Sequence, residues 1–204
     1  MRTITLCLLL LVSASCLIST NAKATVDDLI NFEDVDLDTL IDELEGDYMD
    51  VEEFGFIRSV RKALKKALKT VRGVNCTIKE VIEVMSAATN YVDAIDACGT
   101  AVPKDVAAIV ESCKTIISIC NDIINLNSKL CTTDEPDSNQ MSSKKCFWQL
   151  FKAVMRLTRK INTTLKQIAK LPSDTSSCFL DATNDVKISF NNFLPNINTC
   201  VDQM

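Results

Sequence analysis

The chain has no histidine among its 204 residues, and that absence removes more chemistry than any other feature of the composition. Without histidine there is no Ser-His-Asp or Cys-His nucleophile system and no His-ligated metal. Glycine and proline number four each, too few for a β-rich or disordered chain. No glycine-rich phosphate loop is present either. Aromatics are 5% of residues against 47% apolar overall, so aliphatic side chains must fill the interior, as in a helical bundle. Beyond residue 24 no uninterrupted apolar run reaches the roughly 18 residues of a membrane span. The net charge of −5 argues against nucleic acid as a partner. There is no CxxC, and the cysteine spacings are long for zinc. No catalytic residue, metal site or cofactor is expected, and the carboxylate pairs Asp93/Asp96 and Asp134/Asp137 read as solvated surface.

What is there begins with a leader. Met1 and Arg2 give a positive start, Cys7–Val12 an apolar core, and small residues lead to Ala22 and Ala24. Residues 1–24 therefore read as a secretory signal peptide. The Ser-Ala-Ser-Cys at 13–16 lacks the aliphatic residue that a lipoprotein site carries three before its cysteine. Residues 25–55 form an acidic, partly disordered lead. From 25 to 57 there are thirteen Asp and Glu and no Lys or Arg. Such a block is a solvated tail, a pro-segment or an intramolecular counter-charge.

The sign then reverses. Residues 56–73 read as a cationic amphipathic helix: Arg58, Arg61, Lys62, Lys65, Lys66, Lys69 and Arg72 fill one side. Ile57, Val60, Leu64, Ala67/Leu68 and Val71 recur at i, i+3/4, i+7 on the other, and Gly73 reads as its C-terminal stop. Such a helix can lie on an anionic membrane surface, or dock its stripe on the bundle with the acidic lead over its basic side. Arg58-Ser59-Val60-Arg61 also fits a minimal RxxR processing pattern.

Residues 74–204 read as a cysteine-rich helical bundle. Thr77 and Glu80 match a capping box opening a helix to Cys98, stopped by Gly99. A second helix covers 103–130, a third runs from Ser142 or Ser143 to Leu171, and a fourth opens at Ser173 or Thr175 and bends or breaks at Pro195. The loop at 132–142 is polar. The expected fold is all-α: a disulfide-stapled four-helix bundle preceded by the acidic segment and the cationic helix.

Eight cysteines follow the leader: Cys76, Cys98, Cys113, Cys120, Cys131, Cys146, Cys178 and Cys200. An even number in a secreted chain predicts four disulfides. Cys113 and Cys120 stand about 10 Å apart on one helix and cannot pair with each other. In an up-down bundle Cys76, Cys131, Cys146 and Cys200 gather at one end and Cys98 and Cys178 at the other, so the bonds should join different helices. Asn75 and Asn162 head N-glycosylation sequons.

The central C-x6-C, flanked by C-x21-C helices at 76–98 and 178–200, resembles the insect secreted TsetseEP-type domain. The resemblance spans about residues 76–200. It implies an exported, cysteine-rich helical protein in an extracellular insect setting, and it carries over no functional residue.

Function is expected in binding. The first reading is a secreted, extracellular carrier of an apolar small molecule or lipid, held in an aliphatic interior lined by Ile109, Ile116, Ile117, Ile123, Val92, Ile95, Val154, Ile161 and Phe190. The alternatives are a membrane-active host-defence protein acting through the 56–72 helix, and a non-enzymatic structural or protein-binding factor.

Overall fold

The computed structural model describes residues 51–99, 101–131 and 142–202, with side chains from residue 55 on. The leader, the acidic lead up to residue 50 and nearly all of the polar loop lie outside the described residues. Those described form five helices and no strand: α1 (Val51–Ala67), α2 (Val71–Ala97), α3 (Lys104–Leu130), α4 (Lys144–Ile168) and α5 (Ser177–Asp202).

The cationic helix ends sooner than its periodicity suggests. Thr70 adopts an extended conformation, and its Oγ1 accepts from the Gly73 N–H at 3.1 Å, which opens α2. Arg72 and Gly73 therefore belong to the first turn of α2, and Gly73 stops nothing. Thr77 is likewise no cap: it lies inside α2 and donates to the Gly73 carbonyl at 2.8 Å. The link that follows α1 is held from far along the chain. Ser142 gives its Oγ to the Leu68 carbonyl at 2.6 Å and its N–H to that of Lys69 at 2.9 Å. Ser143 caps α4, accepting from the Cys146 N–H at 3.2 Å. Two neighbouring serines thus divide the work of holding that link and starting α4.

Gly99, at φ +115°, ends α2 as its sequence position predicts. Pro103 sits at the N-cap of α3. Helix α5 opens at Ser177, after a turn in which the Thr175 hydroxyl donates to the Pro172 carbonyl at 2.7 Å. It then runs through Pro195 without a break. Phe193 and Ile197 are buried on either side of the proline, and Cys200 is bonded to α2. Packing thus holds a geometry that the missing N–H disfavours.

Helix α2 packs along both α3 and α5, and α3 packs along α4. Helices α4 and α5 touch each other little, and α1 lies in the seam between them. Its apolar stripe is therefore covered by the other helices. Ile57, Val60, Leu64, Ala67 and Leu68 are at most 1% exposed and belong to the core or pack at its edge. Burying each of the larger four contributes about 1.5–3 kcal/mol.

Three disulfides stand where eight cysteines predicted four. Cys76–Cys200 and Cys98–Cys178 join α2 to α5 at both ends, with Cα separations of 5.6 and 5.9 Å. Cys131–Cys146 joins the end of α3 to the start of α4 at 5.2 Å. Cys113 and Cys120 are free and fully buried. The correction has a simple cause: both point into the core from the middle of α3, where no other cysteine lies at their height.

Candidate functional site

Interior and surface offer different chemistry. Ile109, Ile116 and Ile123 line one face of α3. Ile95 on α2, Val154 and Ile161 on α4 and Phe190 on α5 converge on the same cluster, each at most 1% exposed. Ile117 and Val92 pack against its rim and are partly buried. All nine predicted lining residues are thus brought together. There they form part of the apolar interior or pack against it.

A polar seam runs through that interior. The Tyr91 hydroxyl is buried and makes no hydrogen bond of good geometry among the described residues, though the Thr183 hydroxyl is close enough to act on it as a weak partner and Cys113 is a neighbour. Burial pushes its pKa up to about 12, with the Thr183 hydroxyl opposing and Cys113 adding. Thr183 itself donates to the Phe179 carbonyl at 2.6 Å. Burial also pushes the thiols of Cys113 and Cys120 up to about 12, Lys160 slightly opposing at Cys113. Both are protonated at neutral pH and cannot act as nucleophiles. At the α3–α4 contact, Ser112 donates to Gln167 Oε1 at 2.8 Å. Tyr91 falls at helical spacing with Val84, Ala88 and Ile95 on the buried face of α2, which sets its hydroxyl in an apolar surrounding.

Two surface grooves among the described residues lie elsewhere, between α2 and α5. One, of about 720 Å³, is walled by Arg72, Asn75, Lys79, Glu80, Asn196 and Thr199 beside Cys76. A second, of about 430 Å³, continues from Glu80 and Asn196 to Asp185 and the 61%-exposed Ile188. Asn196 Nδ2 donates to Glu80 Oε2 at 2.6 Å across the line where they meet. Neither groove involves any predicted lining residue. Periodicity cannot find them, because they arise where the polar flanks of two distant helices meet.

The cationic residues are divided. Arg58, Lys62, Lys66 and Arg72 are exposed, whereas Arg61, Lys65 and Lys69 are half-buried. The RxxR pattern lies within α1 with Val60 fully buried, so a protease would have to unwind docked helix to reach it. The sequons also separate. Asn162 lies on α4 with its Nδ2 buried, and a glycan attached to that atom would have no room. Asn75, half-buried, lines the larger groove.

Among the described residues no three His, Cys, Asp or Glu gather to hold a metal, and no helix is long and apolar enough to cross a membrane. The three disulfides are bonds of an oxidising compartment. Compared with known proteins, the chain matches no family model, no curated protein and no solved structure.

Proposed function

We propose that the chain is a secreted, non-enzymatic, extracellular helical protein that takes an apolar ligand such as a lipid between its helices. The observation that carries this reading is the distribution of the disulfides. They tie α2 to α5 and α3 to α4, and none joins one pair to the other. The seam between α4 and α5 is closed by α1, which no described disulfide holds. Opening there would part the two pairs about the α2–α3 contact and bring Val154, Ile161 and Phe190 to a guest. Each pair would stay covalently intact. The weakly partnered Tyr91 hydroxyl would offer a hydrogen bond to a ligand headgroup. The resemblance of the cysteine spacing to the insect TsetseEP-type domain is in keeping with an extracellular setting.

The test is direct. Protein purified from its native fluid without organic solvent should release about one equivalent of lipid on extraction and mass spectrometry. The emptied protein should then take up a fluorescent fatty acid. A clean extract together with no uptake would reject the reading.

A membrane-active role has one supporting observation, the row of basic residues on α1. It requires undocking Ile57, Val60, Leu64 and Leu68, at a total cost of about 6–12 kcal/mol by the per-residue figures for burial. That is comparable with the whole stability of a domain. Such a role therefore applies only where lipid replaces the lost apolar contacts.

A further inference from the structure

Charge is segregated by helix. α1 and α4 together carry twelve Lys and Arg against two acidic residues, and α4 alone carries seven basic residues and no acidic one. The other three helices carry six basic and ten acidic residues. α1 and α4 pack on each other, and Ser142 ties the end of the first to the start of the second. Lys62, Lys66, Lys144, Lys145, Lys152 and Arg156 are all exposed on this pair. Meanwhile residues 27–50, which lead directly into α1, hold eleven acidic residues and no basic one. The net charge of −5 therefore hides two opposed halves: from residue 51 on, twenty basic residues face sixteen acidic ones.

We infer that the basic surface of α1 and α4 is the docking site of the chain's own segment 27–50. Three points select this occupant over a separate anion. The charges are complementary and both are concentrated. The segment is tethered at the first residue of α1, so its effective concentration at the surface is of millimolar order. Its reach suffices: 24 residues extend to about 80 Å at most, whereas α1 is about 25 Å long and α4 about 37 Å. The segment can double back along α1 and continue onto α4. Its contribution is chiefly electrostatic and weakens as salt shortens the Debye length to about 3 Å at 1 M. While docked, it masks the surface from other anions.

The experiment uses the full mature chain. A water-soluble carbodiimide joins a lysine amine to a carboxylate with loss of water, so it reports only pairs in contact. At low salt, peptide mapping of the monomer should find Lys62, Lys66 or Lys152 joined to an acidic residue of 27–50, and 1 M NaCl should remove these links. No such link, or links found only between two chains, would overturn the inference; the second result would assign the surface to another copy. A full-length variant with the acidic residues of 27–50 changed to Asn and Gln supplies the second readout. It should bind phosphatidylserine vesicles at least about tenfold more tightly than the parent, because each basic residue uncovered adds to the attraction of an anionic surface. Equal binding by the two proteins would also overturn it.

Discussion

Cys113 and Cys120 are two thiols in a chain whose other described cysteines are all oxidised, and their surroundings explain why they stay that way. Both are fully buried, and burial holds both protonated up to about pH 12. A thiol-specific reagent should label neither in the native protein and both after denaturation; labelling of the native form would mean that the core opens at α3. Their ordinary pKa is 9.0, so the unfolded chain loses these protons first. The stability they support is fully present below pH 9 and declines as pH rises from 9 towards 12. Tyr91, raised from 10.0, adds to the decline in the upper part of that window. Urea midpoints should be level from pH 6 to 8.5 and fall by pH 10.5, and a Cys113→Ala, Cys120→Ala variant should fall less steeply. Asparagine chemistry divides just as sharply. If the chain is made in a eukaryotic secretory pathway, Asn75→Gln should remove all N-linked mass and Asn162→Gln none. A glycan mapped to Asn162 would require a different local packing of α4.

Helix boundaries record competition between local and distant donors. The apolar stripe from Ile57 to Val71 is continuous in sequence and reads as one helix. Thr70 divides it because its hydroxyl satisfies the Gly73 N–H, and Ser142, 74 residues away from Leu68, donates to the Leu68 and Lys69 carbonyls of the link. Neither half of that arrangement lies in the periodicity: the apolar stripe runs through Thr70 unbroken, and no local pattern links residues 68 and 142. Pro195 shows the reverse failure: the local rule predicts a break, and tertiary burial of Phe193 and Ile197 overrides it. Because Pro195 is exposed and sits in the helix interior, Pro195→Ala should restore a donor and raise stability by about 1–3 kcal/mol in chemical denaturation. No gain would mean that the Asn191 carbonyl is already satisfied by solvent. At Gly99 the opposite holds: with φ at +115°, Gly99→Ala should cost about 1 kcal/mol or more.

For the whole molecule, the cysteine pairing was legible as far as helix geometry reaches. Spacing placed Cys76, Cys131, Cys146 and Cys200 at one end and Cys98 and Cys178 at the other, and the three bonds respect that division. The seat of α1 was not legible, because an amphipathic stripe states that a face must be covered and not what covers it. Periodicity shows which residues face inward, as at Ile109, Ile116 and Ile123, while their mutual packing depends on shapes that it does not encode. Cys98→Ser with Cys178→Ser should lower stability by about 2–5 kcal/mol and free the α2–α5 end beside Gly99. Calorimetry of the double variant measures it, and an unchanged transition would mean that packing alone aligns these helices. The order of the three bonds along the chain has one more result. The 131–146 loop lies inside the 98–178 loop, which lies inside the 76–200 loop, so the closures are concentric. One backbone cut anywhere between Cys76 and Cys200 leaves the pieces covalently joined, and only reduction can separate them. A cut in the short link between Ala67 and Val71 has a different outcome: it leaves α1 and everything before it held by contact alone.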